Sequence, residues 1–348
     1  MSDDKHARVG LVLGDPAGIG PELVAKLFAD PANRSYGHAL IIGDEHELQV
    51  GMRIAGCSFP YRVVSDSHEI FAKPDMPLLI DYRGSATQPF EYMKATANGG
   101  QYVIDTMAMA AELTLLGVTD AVCFAPLNKS AMHMTGIPET DELAWFANRL
   151  GYHGPHMELN SLEYLWTSRV TSHVALKDVS EMLTPEKIAT AIEMIYRVLQ
   201  DAGMQTPRIA VCGLNPHNGD NGAFGREEID IIEPGIKLAH ERGVLALGPY
   251  PADTIFLKAR DRQVDAVVTM YHDQGQIAMK LLGFSSGVSL AGGFPQTITT
   301  PTHGTAFDIY GKGVAHPGAM TRAFRLACDV GLRRRLISTK IRSGELMN

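Results

Sequence analysis

Short apolar runs that end abruptly on polar residues constrain this chain more than any other feature of its sequence. The run at 267–271, for example, stops at His272, and two further runs lead in the same way to His173 and His217. Near-continuous apolar runs are typical of strands in parallel sheets, whose carboxyl ends bind ligands. A single histidine in that setting is commonly a hydrogen-bonded core or rim residue. Three of them predict a catalytic metal site, with three imidazole ligands and one open position.

Between these runs lie longer segments with helical patterning. Strands are predicted at 9–13, 39–42, 78–80 and 121–125, and helices from Gly20 onward and at 102–116. A second series of predicted elements follows in this order: an apolar segment from Arg169, a helix at 184–202, a strand at Ile209, a helix after Arg226 and a strand at Val264. This alternation predicts an α/β fold with a mainly parallel sheet.

Length and charge exclude several classes of protein. The chain has 348 residues, which exceeds one ordinary core and suits two α/β domains. Acidic residues outnumber basic ones by 39 to 31, and no basic block opposes the net charge of −8, so neither nucleic acid nor a membrane is an expected partner. No signal peptide and no apolar stretch of spanning length is evident, and we expect a cytoplasmic protein. The four cysteines lie far apart without a Cys-x-x-Cys pair, which argues against structural zinc and disulfides.

Several glycine-rich segments follow predicted strands. The segment 14–22 leads into a helix and allows close backbone approach to a ligand, although it could equally be a plain turn. Its spacing matches neither a dinucleotide fingerprint nor a Walker loop. The segment 215–228 is too rich in glycine and asparagine for regular structure and should be a shaped loop.

These segments, together with Tyr271-His272-Asp273-Gln274-Gly275 and His303-Gly304-Thr305-Ala306-Phe307-Asp308, resemble the 4-hydroxythreonine-4-phosphate dehydrogenase family over nearly the whole chain. The resemblance implies two α/β/α domains of the isocitrate/isopropylmalate dehydrogenase-like fold, with the active site in the cleft between them. It also implies a homodimer in which each site borrows residues from the partner. We expect the first domain to comprise 1–128 and 292–348. The second, at 129–291, would carry the metal ligands and the dimer interface.

The same resemblance implies roles for individual residues. The metal ligands would be His173, His217 and His272. Lys280 matches a lysine that binds the substrate phosphate. Lys129, Asp253 and Lys280 are the candidate catalytic residues. Lys129 and Asp253 could equally be surface charges.

The segment 303–317 resembles a nucleotide-binding loop, although it could be only a glycine-rich loop before a C-terminal helix. Its expected cofactor-binding residues are Gly304, Thr305, Asp308, Gly311 and Gly313. A carboxylate at Asp308 can accept hydrogen bonds from the ribose hydroxyls and would repel a 2′-phosphate, which favours NAD over NADP.

A divalent ion (Zn, Mg, Mn or Co) could lower the pKa of a substrate hydroxyl while hydride passes to NAD. The resemblance implies oxidation of a small hydroxy acid, followed by loss of carbon dioxide from the β-keto acid.

The chain departs from the family at four positions that would contact the substrate. Glu142 and Leu143 replace a histidine and a threonine, Ser289 replaces an asparagine, and Ile298 replaces the phosphate-binding arginine. We therefore predict a non-phosphorylated substrate, a cis-dihydrodiol carboxylate such as the terephthalate dihydrodiol. The alternative is 4-hydroxythreonine-4-phosphate dehydrogenase of pyridoxal phosphate biosynthesis, or a related phosphorylated sugar-acid dehydrogenase. A non-catalytic metal- or nucleotide-binding protein is a third possibility. Retention of the three histidines together with Asp308 and Lys280 argues against it, because a protein that only binds one ligand would not require both sites.

Overall fold

The computed structural model describes residues 5–64, 76–84, 88–283 and 286–343, and it confirms the predicted α/β fold. The chain forms two compact units, one of residues 1–153 with 294–348 and the other of residues 154–293. The first boundary therefore falls after His153 rather than after Asn128. The reason is packing: the helix Lys129–His133 lies against the helix Ala97–Leu115, and the rings of Phe124 and Phe146 are 6.0 Å apart. The second boundary falls at 293 rather than 291.

The described strands of the first unit are β1 Arg8–Val12, β2 His38–Gly43, β3 Arg62–Val63, β4 Leu78–Asp81, β5 Ala121–Phe124 and β12 Thr297–Pro301. They lie in the order β3-β4-β2-β1-β5-β12, and each of these pairings is parallel. The helices are Gly20–Ala29, Pro31–Tyr36, Glu45–Ala55, Ala97–Leu115, Lys129–His133, Glu142–Arg149 and Gly318–Ser343, with a 3-10 turn at Phe307–Ile309.

The described strands of the second unit are β6 Met157–Ser161, β7 Trp166–Arg169, β8 Ile209–Cys212, β9 Ala246–Tyr250, β10 Ala266–Thr269 and β11 Val288–Gly292. They lie in the order β11-β6-β7-β10-β8-β9, and β6 runs antiparallel to both of its neighbours. The helices are Val179–Met182, Pro185–Asp201, Glu233–Glu241, Ala252–Arg260 and His272–Gly283, with tighter or wider turns at Leu176–Asp178, Pro216–Gly222 and Glu228–Ile232.

Local sequence explains where the longer helices start. Thr184 accepts a hydrogen bond from the Lys187 amide at 3.2 Å, and Pro185 occupies the first helical position, where its missing N–H costs nothing. Thr96 caps the helix Ala97–Leu115 through the Gly99 amide at 3.0 Å. The sequence predicts both helices. The predicted start of the helix Ala97–Leu115, at residue 102, is five residues late, because the apolar pattern begins after the cap at Thr96.

The apolar runs form the sheet core, as expected. Val267, Val268 and Cys212 are completely buried, and so is Cys123 in the first unit. All four cysteines are free thiols. No helix in the described part of the chain is both long and apolar enough to cross a membrane.

Candidate functional site

Three adjacent parallel strands of the second unit end beside the three predicted histidines. The central strand β10 pairs with β7 on one side and with β8 on the other. His173 follows β7, His272 follows β10 and His217 follows β8. The carboxyl ends of parallel strands meet at one edge of a sheet, so the three histidines follow strands that end at the same edge.

Two of the imidazoles are close together. The ring centroids of His173 and His272 lie 5.6 Å apart, with an angle of 39° between the rings. Nδ1 of His272 lies 2.6 Å from a carboxylate oxygen of Asp273. We assign a proton to Nδ1, because a carboxylate is the natural acceptor. Nε2 then keeps its lone pair, as in histidines that bind metals with a carboxylate behind them.

The third histidine lies in a loop of unusual backbone conformation. Residues 217–221 all have positive φ angles, and only Gly219 among them is a glycine. His217 itself has φ of 53° and His173 has φ of 52°. Positive φ costs free energy for residues with a side chain and is concentrated at functional sites. The two exposed histidines are thus held in conformations that folding alone would not favour.

The donor set fits a divalent ion in part. Imidazoles of His173 and His272 are suitable ligands, and His217 follows the neighbouring strand. Within the described ranges, however, no three histidine, cysteine, aspartate or glutamate side chains form a group able to hold a metal ion.

Sequence reasoning missed two residues that shape this edge. Gln274 accepts a hydrogen bond from the Met270 amide at 2.7 Å and donates one to the Gly213 carbonyl at 2.8 Å. It therefore joins the end of β10 to the end of β8. Glu228, which is 2% exposed, accepts hydrogen bonds from the amides of Leu214 and Asn215, both at 2.7 Å.

By its place in the sequence, Glu228 stands near the start of a helical segment, where acidic residues are favoured. Its position two residues after Arg226 gave no signal of a bond to a loop more than ten residues away.

In the first unit, the predicted nucleotide loop is fastened to the helix Gly20–Ala29. The ammonium group of Lys26 donates to the carbonyls of Gly313 at 2.9 Å and Ala315 at 2.7 Å. Glu22 accepts from Lys26 at 2.8 Å and from the Ala315 amide at 2.9 Å. The loop is thus held in place by buried and half-buried polar groups before any ligand binds.

The same loop contacts the first glycine-rich segment. The Ile19 amide donates to the Thr305 carbonyl at 3.1 Å, and a Cβ added to Gly18 would lie 2.8 Å from that residue. A side chain at Gly18 would therefore push the two segments apart. The segment 14–22 is more than a plain turn, because it supports the loop at 303–317.

The expected cofactor-binding residues are partly exposed. Asp308 is exposed on the turn Phe307–Ile309, Thr305 is 8% exposed, and a Cβ at Gly304 or Gly311 would meet no atom within 4 Å. Nε2 of His303 is buried and has no hydrogen-bond partner among the described residues. Burial also lowers the pKa of His303 from its usual value of 6.5, which keeps the ring neutral at physiological pH.

A buried carboxyl group lies at the end of β1. Asp15 is 1% exposed; one oxygen accepts from the Ala17 amide at 2.9 Å, and the other finds no partner within the described residues. Burial raises the pKa of Asp15 from its usual value of 3.8 to about 6, and the bond from Ala17 opposes this rise.

The three candidate catalytic residues are exposed. Lys129 begins a short helix, with its ammonium group 3.3 Å from a carboxylate oxygen of Glu142. Asp253 lies in the first turn of the helix Ala252–Arg260. Lys280 lies on the helix His272–Gly283, two turns after the histidine.

The four substituted positions that were expected to contact the substrate differ in burial and in their partners. Ile298 is 3% exposed in β12, opposite Val122 of β5, and therefore belongs to the sheet core. Ser289 is 7% exposed, and its hydroxyl donates to Glu158 at 2.5 Å. Leu143 is half-buried, and Glu142 is paired with Lys129.

Comparison with known proteins gives a consistent relationship. The family model described as pyridoxal phosphate biosynthetic protein PdxA matches residues 35–327. A Pseudomonas aeruginosa relative with a provisional 4-hydroxythreonine-4-phosphate dehydrogenase name is 55% identical over 333 residues, covering 95% of this chain and 99% of its own. D-threonate 4-phosphate dehydrogenase of Cupriavidus necator is 36% identical over 327 residues, covering 94% of this chain and 98% of its own.

A solved 4-hydroxythreonine-4-phosphate dehydrogenase from Klebsiella pneumoniae has a TM-score of 0.81 at 33% identity, covering 95% of this chain and 100% of that structure. The terephthalate 1,2-cis-dihydrodiol dehydrogenase structure from Burkholderia xenovorans is more distant, with a TM-score of 0.64 at 27% identity over 92% of this chain and 97% of its own. The prediction of a dihydrodiol substrate is therefore not supported, and the phosphorylated alternative is favoured. With a family model over most of its length and dehydrogenases as its named relatives, the chain belongs to the PdxA family.

Proposed function

We propose that the protein is an NAD-dependent and divalent-metal-dependent dehydrogenase that oxidises the secondary alcohol of a phosphorylated hydroxy acid. The names of the relatives suggest D-threonate 4-phosphate and 4-phosphohydroxythreonine as the first substrates to test. The observation that carries the proposal is the pair of imidazoles 5.6 Å apart at the ends of β7 and β10, with Asp273 orienting one of them.

His173, His272 and His217 would hold the metal. When bound, a divalent ion lowers the pKa of the substrate hydroxyl and stabilises negative charge on the oxygen during oxidation. Asp273 contacts Nδ1 of His272, which leaves Nε2 as the ring nitrogen that would bind the metal. The bonds from Gln274 hold the end of β10, which precedes His272, against the end of β8 and so fix the start of the helix that carries His272.

The loop at 303–317 would bind NAD. Its open glycines leave room for a dinucleotide backbone, and the exposed carboxylate of Asp308 suits the ribose hydroxyls. The unpartnered Nε2 of His303 offers one further polar contact.

The reaction balances without another oxidant. The carbinol C–H transfers a hydride to NAD, and the hydroxyl proton passes to a base, for which Lys280, Asp253 and Lys129 are the candidates. In both proposed substrates the oxidised carbon is β to a carboxylate. The resulting β-keto acid loses carbon dioxide as its C–C bond breaks, and a proton replaces the lost group.

We further propose a homodimer that completes the metal site. The helix that begins at His272 exposes Ile277 to 60% and Leu281 to 83%, one turn apart on one face, which suits cover by a second copy. His173 and His272 already face each other within one chain, so the third ligand would be His217 of the partner subunit. Mixing the His217→Ala and His272→Ala variants should then restore some activity, whereas mixing His173→Ala with His272→Ala should not.

The test of the proposed function is NAD reduction with each phosphorylated acid in the presence of Mn²⁺, Mg²⁺, Zn²⁺ or Co²⁺, with carbon dioxide release measured in parallel. We expect turnover that chelation abolishes and metal restores, a preference for NAD over NADP, and a narrowed or reversed preference in Asp308→Lys. Turnover of a cis-dihydrodiol carboxylate, with none of a phosphorylated acid, would contradict the proposal and would identify the substrate as a non-phosphorylated dihydrodiol acid.

A further inference from the structure

One face of the sheet in the second unit is polar where a sheet core is usually apolar. Alternate residues of a strand share a face, and the register places Asn160 between Thr167 of β7 and Ser289 of β11. Arg169, two residues after Thr167 on β7, contacts Glu158, two residues before Asn160 on β6. The result is a polar cluster of Glu158, Asn160, Arg169 and Ser289, in which all members but Glu158 are buried.

Arg169 is the centre of this polar cluster. Its side chain is 5% exposed and donates to Asn160 at 2.9 Å, to the Ser172 hydroxyl at 2.9 Å and, in a very short contact, to Glu158. Glu158 is 34% exposed on its side chain. A buried guanidinium is thus balanced by a carboxylate that already reaches solvent.

Stability alone does not explain such a pair. Burying two charges costs hydration free energy that their attraction often fails to repay, and apolar residues of similar volume commonly serve as well or better. A buried arginine with planar N–H groups is instead well suited to hold a carboxylate or phosphate in a two-point contact.

The polar cluster also lies beside the residues of the proposed active site. The Ser172 hydroxyl that Arg169 contacts belongs to the residue before His173. The Asn160 oxygen that accepts from Arg169 also accepts from Gln276 at 2.6 Å. Gln276 lies one turn after His272 and one turn before Lys280 on the same helix. Arg169 is therefore close to the helix face that carries the metal ligand and the proposed phosphate lysine.

We propose that Arg169 binds the substrate's phosphate group, in place of the arginine that the family resemblance puts at position 298. This inference rests on the proposed function. In the ligand-free protein Glu158 occupies the guanidinium; on binding, the phosphate displaces that carboxylate toward solvent. Ser289, whose hydroxyl donates to Glu158 at 2.5 Å, then donates to the phosphate, and Lys280 adds a second positive charge.

The test compares Glu158→Gln with the double variant Glu158→Gln/Arg169→Met, in which both charges of the pair are removed and no unpaired buried charge remains. Arg197→Met, at an arginine that is 75% exposed, is the matched control. Inorganic phosphate binding is followed by the phosphate-dependent rise in Tm. The specificity constant kcat/KM is measured for D-threonate 4-phosphate and for unphosphorylated D-threonate.

Glu158→Gln should bind inorganic phosphate more tightly than the wild type, because the competing carboxylate is gone. The double variant should bind it about 10- to 100-fold more weakly, the loss expected for one hydrogen bond to a charged group. Its kcat/KM should fall by a similar factor more with the phosphorylated acid than with D-threonate, so that the ratio of the two constants drops.

Equal losses for the two substrates, or unaltered phosphate binding in both variants, would mean that the polar cluster is only structural and would overturn the inference. If the wild type oxidises a phosphorylated acid while the double variant keeps its preference for phosphate, this inference fails and the proposed function stands. If the wild type oxidises neither acid, the proposed function fails, and the inorganic phosphate measurement alone decides whether Arg169 binds phosphate.

Discussion

The glycine-rich regions of the two units are built in opposite ways. In the first unit, the segments 14–22 and 303–317 are fastened by Lys26, Glu22 and the Ile19 amide, so the expected NAD loop is formed before NAD arrives. In the second unit, residues 217–221 carry positive φ angles, and the histidines at 173 and 217 are exposed. A preformed loop reduces the entropic cost of binding a cofactor, whereas a strained edge can relax when a ligand binds.

The largest effect should come from the strained edge. His272→Ala removes the ring that pairs with His173 and is oriented by Asp273, so we expect activity to fall by about a thousandfold or more, since metal chemistry contributes several kcal/mol. Metal content after dialysis and kcat measure the effect. His46→Ala, at an exposed histidine of the first unit, should keep both. Full metal occupancy in His272→Ala would contradict the assignment.

The preformed region contains one group that opposes its stability. Because the pKa of Asp15 is raised from 3.8 to about 6, the folded chain holds the proton more tightly than the unfolded chain. Proton binding by Asp15 therefore favours the folded state fully below about pH 4, and this advantage is lost as the pH rises through 6. Asp15→Asn should therefore be more stable than the wild type at pH 7, by about 3 kcal/mol at most, with the difference disappearing toward pH 4.

Thermal or urea unfolding at several pH values measures this difference. Asp261→Asn is the control, because Arg260 lowers the pKa of that exposed carboxyl and the variant should show no gain at pH 7. A stability difference for Asp15→Asn that does not change with pH would show that the buried carboxyl is not the cause.

A smaller effect is expected where the two strand ends are joined. Gln274→Ala removes both bonds that connect Met270 and Gly213, so metal affinity should fall about 10- to 100-fold, as for other groups that position metal ligands. Titration with Zn²⁺ measures the affinity, and Gln263→Ala, at an exposed glutamine, is the control. Unchanged affinity would mean that this edge is held by other contacts.

The smallest effect should occur in the preformed region. Lys26→Met removes two bonds to the nucleotide loop, and we expect KM for NAD to rise about tenfold while metal affinity is unchanged. Lys237→Met, at a lysine that is 79% exposed, should change neither quantity. A loss of metal affinity in Lys26→Met would mean that the two regions are not independent.

Much of the site was predictable because it depends on local pattern. The apolar runs before His173, His217 and His272 indicate strands, and a strand's end determines the residue that follows it. The glycines near Asp308 likewise mark a loop from composition alone. The comparisons do not support the predicted dihydrodiol substrate, because a missing arginine at Ile298 does not by itself mean that phosphate binding is lost.

The sequence by itself determined the alternation of strands and helices, the family and the three strand-end histidines, since each of these is written in neighbouring residues. Tertiary structure alone decided that Gln274 joins two strand ends, that Lys26 holds the nucleotide loop and that Arg169 lies opposite Glu158. Strand register and loop contacts join residues far apart in the chain. They depend on how whole elements pack, and no local pattern in a single sequence records that packing.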